Sequence, residues 1–505
     1  MSTAPPIADT HHSARIGALR RICSFPVMLC GLLAVLSVLT VRDRFNDPDM
    51  WWHLKTGEVI WTTHTIPTTD LFSYTTHHHA WTPHEWLAQV LIYGAYRWDG
   101  YTGLMLWLCF FSVLLLIAGY VLCALYSGNS KTALIGALTV WLFSTTGLAI
   151  RPQMIGYLFL LVELLLIHLG RTRSPRWFFW LPPLFAIWVN CHGSFFLGLI
   201  LLGVFLLCSF FDFQAGSLVS SRWEPRRRRT LTLALALSTG ALFLNPAGLR
   251  QILYPLNTLL YQPLNLSSIE EWKPLQLSDA RGLVLLGILA CLFLVFVMRR
   301  PKIFLHELLM LAMGAALAIG HRRMLFVFGI LAAPLVSRLI STSWDAYDPE
   351  RDSPAINAII ICLAVLIVSR AFPSRSYLAT QIAEHNPVKA VEFIRSHHLR
   401  GPMLNAYYFG GYLIWALPEQ PVFIDGRADL YEWAGVLGGF AKWATLQSDP
   451  NGLLNEYGVG FCLLERDSPM TQVMQLMPGW KLAYSDQASV IFVRSTGAAL
   501  TAPSR

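Results

Sequence analysis

Residues 23–41, CSFPVMLCGLLAVLSVLTV, run directly into residues 42–54, RDRFNDPDMWWHL. The first stretch carries no charge and matches the thickness of a bilayer's hydrocarbon core, which takes about 20 apolar residues in a helix. The second brings two acids, two tryptophans and a histidine into eight residues, Asp47–Leu54. Asp47-Pro48 predicts a helix start: Asp47 can accept from free backbone N–H groups, and Pro48 suits the first helical position because its missing donor would be unpaired there. A cap is worth about 1 kcal/mol, which accounts for Asp47. Asp49 gains only about 0.3 kcal/mol from the helix dipole and is left without a comparable structural role. Asp49 and His53, four apart, share a helix face. Trp51, Trp52 and Leu54 are expected at the bilayer interface, where aromatic residues concentrate.

The rest of the chain repeats the pattern of the first stretch. Of 505 residues 54% are hydrophobic and 13% charged, with a mean hydropathy of +0.48; soluble domains carry about 25% charged residues. Apolar runs near 22–41, 101–126, 131–149, 153–169, 177–191, 194–212, 230–244, 282–298, 302–320, 324–340 and 355–371 predict a polytopic α-helical membrane protein of about eleven spans. The net charge is +8, and basic clusters at Arg171–Arg176, Arg222–Arg229 and Arg299–Lys302 fall in short gaps between runs. That is the bias by which cytoplasmic loops orient helices, so nucleic acid is not an expected partner. With Arg15, Arg20 and Arg21 keeping residues 1–21 cytoplasmic, the clusters alternate across all spans of a membrane region 22–371. No cleavable signal is expected. Eight of nine cysteines lie in or beside apolar runs and only Cys462 lies in the polar C-terminal part, which excludes a disulfide framework or zinc spacing there.

Three parts fall on the exported side: a loop 42–100, a loop 245–281 and a region 372–505 large enough to be a small α/β domain. In that region Asn386-Pro387 predicts a helix start, with Asn386 as the cap. Met403–Tyr407, Pro421–Ile424 and Gly458–Leu464 read as strands, and Lys481–Tyr484 with Ser489–Val493 as a hairpin. In the first loop Thr82-Pro83-His84-Glu85 has capping-box spacing and predicts a second juxtamembrane helix through Trp98. His77-His78-His79 cannot all face one ion from a regular element.

Some polar residues sit where topology disfavours them. Arg151, Arg322 and Arg323 fall in short exported turns, where arginine runs against the charge bias. Two readings stand: snorkelling to lipid phosphates, or a phosphate clamp built from guanidinium forks. His192 ends another span on the exported side, and Glu163 lies inside an apolar run, where its ionised form is costly. Asp425, Arg427 and Asp429 follow an apolar run in the C-terminal region and read as a turn with a salt bridge or as an accessory binding site.

The segments DPDMWWHLKTGEVI (47–60), HTIPTTDLFSY (64–74) and WTPHEWL (81–87) resemble the first exported loop of polyprenyl-phosphate-dependent glycosyltransferases of the GT-C superfamily. The likeness runs best to protein O-mannosyltransferases, aminoarabinose transferases and related bacterial sugar transferases. It covers this loop well, the layout of spans loosely and the C-terminal region hardly at all. The usual adjacent Asp-Glu is here Asp-Pro-Asp, which leaves the choice of carboxylate between Asp49 and Asp47 open. The resemblance implies sugar transfer from a lipid-linked donor in the inner membrane to a glycan, lipid or protein acceptor in the envelope. It implies Asp49 or Asp47 as catalytic base, Arg151, Arg322 and Arg323 against the donor phosphate, and His53, His84, Glu85 and His192 lining the site. Asp425 and Arg427 would form the accessory site. No cofactor is called for, and a divalent cation stays open. A transporter or flippase, or a non-catalytic envelope assembly protein, are the alternatives; the first would show paired half repeats, which are not evident.

Overall fold

The computed structural model describes residues 20–495; Arg15, most of the expected cytoplasmic segment 1–21 and the last ten residues lie outside them. Helices dominate. Five are long and apolar enough to cross a membrane by length and composition: Trp86–Ser127, Gln153–Thr172, Ala280–Arg299, Arg322–Ser341 and Pro354–Ala371. Shorter apolar helices, Phe25–Val41, Ser130–Ser144, Phe195–Cys208 and Leu305–Gly320, add to them. Expected segment 177–191 forms a 3-10 turn, Pro175–Trp180, and an eight-residue helix, Leu181–Trp188. Pro182 and Pro183 confine that helix, because proline donates no hydrogen bond to a preceding turn. Segment 230–244 lies in a helix, Pro225–Ala241, that begins with Arg226–Arg229.

Gln153–Thr172 and Arg322–Ser341 form the centre of the bundle, with 72% and 78% of their apolar windows buried; Ala280–Arg299 and Pro354–Ala371, at 11% and 17%, are peripheral. Leu325–Ser341 packs on Ser130–Ser144 and Trp86–Ser127. The 42-residue helix Trp86–Ser127 is broken at Asp99 (φ −150°, ψ 40°) and Gly100 (φ 55°, ψ −136°). Gly100 adopts a conformation that side chains resist. The arm Trp86–Trp98 is thereby set off from the apolar part that follows.

The C-terminal region carries a four-stranded sheet in the order Met403–Asn405, Phe461–Glu465, Ser489–Arg494, Trp480–Ser485. The first pair is parallel and the other two are antiparallel. The expected hairpin forms, with a bulge between Leu482 and Tyr484. Asn386 does not cap the next helix, Val388–Ser396; its side chain donates to Ile382 O, 3.0 Å, and Pro387 precedes the first turn.

Pro421–Ile424, expected as a strand, joins no sheet. Val422 N–H donates to Phe72 O (3.1 Å) and Tyr74 N–H donates to Val422 O (3.1 Å), so its backbone is satisfied by the first loop. Beside this bridge Arg427 donates to Asp70 at 2.6 Å and to both oxygens of Asp425 at 2.8 and 2.7 Å. Tyr431 O–H donates to Asp425 at 2.6 Å. Ser73 (2.5 Å) and Thr76 (2.8 Å) hydroxyls donate to Asp70. The guanidinium also lies over Trp81 (4.7 Å) and Phe72 (5.1 Å). Asp425 and Arg427 are thus sealed in, at 0% and 1% exposure, with their hydrogen bonds spent on neighbours. A buried charge deprived of its partner costs about 3–5 kcal/mol. Arg427→Ala is therefore expected to lower the thermal unfolding temperature of the detergent-purified protein strongly and to open the C-terminal region to limited proteolysis.

Candidate active site below the first apolar helix

The acidic loop is built differently from a simple cap. Asp47 Oδ1 accepts the N–H of Asp49 at 2.9 Å, but the helix starts at Met50, two residues later than expected, with Asp49 as its N-cap residue and no side-chain cap bond. The Asp49 carboxylate is therefore released to other partners. Arg151 reaches it at 3.0 Å and reaches Asp47 at 2.7 Å. The indole N–H of Trp52 donates to Asp49 at 3.2 Å. Trp51, Trp52 and Leu54 are buried against protein rather than held at an interface. Trp51 packs edge-on against Tyr412, ring centres 5.0 Å apart.

The C-terminal region closes on this loop. A Cβ on Gly426 would lie 1.8 Å from Asp49 Oδ1, and one on Gly411 would lie 2.3 Å from Pro48 O. The Asp49 side chain keeps a fifth of its surface exposed while lying deep among protein atoms. Burial pushes its carboxyl up, Arg151 opposes this and Asp47 adds to it, with a result of about 6.

Glu85 forms the second part. The expected capping box is absent: the helix starts at Trp86, and Glu85 makes no side-chain cap bond. Its carboxyl faces three imidazoles, with His192 Nε2 at 3.6 Å, His84 Nε2 at 3.8 Å and His53 Nδ1 at 3.9 Å. Burial outweighs the pull of Arg323 and pushes Glu85 up to about 8. Burial also pushes His84 and His192 down to about 3, so at neutral pH these are contacts among uncharged groups. Gln89 (3.1 Å) pairs with His53, and Ser194 (2.8 Å) with His192. His84 stacks on Tyr254 (3.8 Å), whose O–H donates to Asp429 at 3.1 Å.

The two neighbouring arginines part company. Arg323 donates to Gln153 (3.0 Å), lies over Trp272 (4.4 Å) and directs its charge at Glu85. Arg322 turns to Glu270 at 2.6 Å, outside the cluster. Glu271 joins it, 3.6 Å from Arg151. Tyr254, Glu271 and Gly426 thus join the cluster without having been singled out; Trp52 was expected at the bilayer interface and Asp429 in a separate turn or accessory site. A local signal for Glu271 is the acid pair beside an aromatic at Glu270-Glu271-Trp272. Glu163 stays apart, buried twelve residues along its helix from Arg151. His77, His78 and His79 are exposed. Among the described residues no group of three or more His, Cys, Asp or Glu is placed to hold a metal ion.

Solved structures share this architecture. ArnT from Cupriavidus metallidurans in the apo state matches with a TM-score of 0.51 at 12% identity, over 92% of this chain and 97% of that one. The same protein bound to undecaprenyl phosphate matches with a TM-score of 0.50 at 12% identity, over 95% and 99%. The Archaeoglobus fulgidus oligosaccharyltransferase tethered to an acceptor peptide matches with a TM-score of 0.51 at 13% identity, over 92% and 74%. The fold is GT-C-like. No protein-family model matches the sequence, and no curated protein is similar to it in sequence. The likeness is remote and is one of fold. The acidic loop and the Glu85 cluster are linked by Arg151 and Arg323, whose charges both act on Glu85.

Glu85 also ties the site to stability. Its carboxyl sits at about 8 against an ordinary 4.5. The neutral form is favoured in the folded state, so the contribution is fully present below pH 4.5 and is lost as pH rises through about 8. Thermal unfolding across this window is expected to show a falling midpoint in wild type and a flatter profile in Glu85→Gln.

Proposed function

We propose that this protein is an integral membrane glycosyltransferase. In this reading it moves a sugar from a polyprenyl-phosphate-linked donor to an envelope acceptor at the exported face. The observation that carries the reading is the largely enclosed Asp49 carboxylate, held by Arg151 together with the acids Asp47 and Glu271. The GT-C-like fold agrees with it. The topology that belongs to this proposal has about eleven spans in the inner membrane, a cytoplasmic N-terminus and the C-terminal region 372–505 outside.

The acceptor hydroxyl attacks the anomeric carbon while the carbon–oxygen bond to phosphate breaks, and the phosphate departs with that electron pair. Asp49 takes the hydroxyl proton, a task suited to a carboxylate raised to about 6 and ionised at neutral pH. In this reading Arg151 and Arg323 hold the departing phosphate. Arg322, drawn to Glu270, has the lesser claim. Glu85, kept neutral at pH 7 by burial, can donate a hydrogen bond to the donor, and His53, His84 and His192 line the same space. Asp47 fixes the loop by holding the Asp49 N–H and Arg151.

The test uses the purified chain reconstituted in vesicles with a panel of polyprenyl-phosphate sugars, with bound donor followed by native mass spectrometry. Asp49→Asn is expected to lower turnover about 10²–10⁴-fold, the usual range for a lost general base, while donor is still retained. Arg323→Ala is expected to lose donor retention. Wild-type kcat/KM should rise with pH through about 6, because only the ionised Asp49 carboxylate accepts the proton, and fall through about 8 as Glu85 loses the proton it donates. Unchanged turnover in Asp49→Asn would reject the assignment.

A further inference from the structure

A second polar cluster lies at the other end of the bundle. The helix Gln153–Thr172 starts beside Arg151 and has Arg171 in its last turn; twenty helical residues rise about 30 Å. There a cavity of about 350 Å³ is lined by Tyr126, His168, Arg171, Arg173, Phe304 and Arg338, among others.

The charges in this cavity do not balance. Arg338 forks onto Glu307 at 2.6 and 2.5 Å, and Glu307 also accepts the Phe304 N–H at 2.9 Å, so that carboxylate is fully engaged. Among the described residues no carboxylate lies within 4.0 Å of Arg171. Its polar partner is His306 Nε2 at 2.6 Å, and its guanidinium lies 5.9 Å from the ring centres of both Tyr126 and Phe304. His168 is 7% exposed, and its Nδ1 has no hydrogen-bond partner. Three guanidiniums thus face one carboxylate around a cavity that also holds a buried, unpartnered imidazole nitrogen. This is the complement of a phosphate, which accepts from forked guanidinium and imidazole donors.

The orientation bias of basic loops explains arginines in exposed gaps. It does not explain a cavity of this size, aromatic faces against Arg171 or an idle buried nitrogen. Leu125 and Leu169 line the same cavity, giving apolar surface beside the charged groups. The other basic clusters, Arg222–Arg229 and Arg299–Lys302, flank further gaps of the same parity in the chain, and anionic lipid headgroups concentrate where such segments meet the membrane. We propose that this cavity binds the phosphate headgroup of an anionic membrane phospholipid.

The full chain in nanodiscs of mixed phosphatidylcholine and phosphatidylglycerol, analysed by native mass spectrometry, tests this. Wild type is expected to retain phosphatidylglycerol over phosphatidylcholine by roughly tenfold, which corresponds to about 1.4 kcal/mol. Arg171→Gln/Arg173→Gln should lose that preference. Arg173→Gln alone, at an exposed side chain, should weaken it without unfolding the protein. Asp49→Asn should keep it, which separates this site from the proposed transfer site. Equal retention of both lipids by wild type, or an unchanged preference in the double variant, would overturn the proposal. Thermal stabilisation of wild type by inorganic phosphate in neutral detergent, with no lipid preference in nanodiscs, would assign the cavity to a free phosphate and overturn the lipid assignment.

Discussion

The guanidinium of Arg427 is shared between Asp70 in the first loop and Asp425 in the C-terminal region, at 2.6 Å from one and 2.7–2.8 Å from the other. Burying one cation between two anions is tolerable only with every donor directed, and here aromatic faces and hydroxyls complete the arrangement. The consequence reaches beyond the pair. With Arg427 fixed, Gly426 is pressed against Asp49, and Gly410 and Gly411 let the following helix approach Ile424 and Pro48. Both ends of the chain are therefore needed to shape one carboxylate's surroundings.

Within the site, environment divides two carboxyl groups of similar intrinsic acidity. Asp49 settles at about 6 because Arg151 offsets much of its burial, whereas Glu85 rises to about 8 because burial outweighs the pull of the more distant Arg323 and Arg151. Separation of this kind is how a single pocket holds an ionised and a protonated carboxyl at one pH. It follows from geometry: Arg151 lies in the turn before the helix Gln153–Thr172 and bonds to the Asp-Pro-Asp loop, while Arg323 is partly engaged by Gln153 and Trp272.

Much of this architecture is legible in the sequence because it follows from local pattern. Apolar runs became helices, and alternation between Lys481 and Val493 became a hairpin. Asp49 stood out because a helix cap could account for Asp47 and not for it. The structure redistributes even that reasoning, since Asp49 holds the cap position while its side chain turns to Arg151, which local rules cannot foresee. Glu85 fitted a capping box in spacing, but three imidazoles from separate segments supplied a competing environment. Arg322 and Arg323 are indistinguishable as neighbours in sequence; on a 3-10 turn they point about 120° apart, so only one faces inward. Val422 read as a sheet strand because it sits in a short apolar run, yet its hydrogen-bond partners are in a loop about 350 residues earlier. Tyr254, Glu271 and Asp429 are single residues whose place depends wholly on long-range packing.

The separation of Asp70 from Arg427 by 357 positions also sets an order in time. A ribosome adding about 5–20 residues per second needs on the order of 20–70 s to cover that distance. Throughout that interval the acidic loop is already made and inserted, while the turn that covers Asp49 does not yet exist. A nascent chain consequently holds an open, unshaped carboxylate until residues 410–427 are synthesised. Completion of the pocket thus reports that the polypeptide has been made through Arg427, and a product truncated before it carries the acidic loop without the enclosure that tunes it.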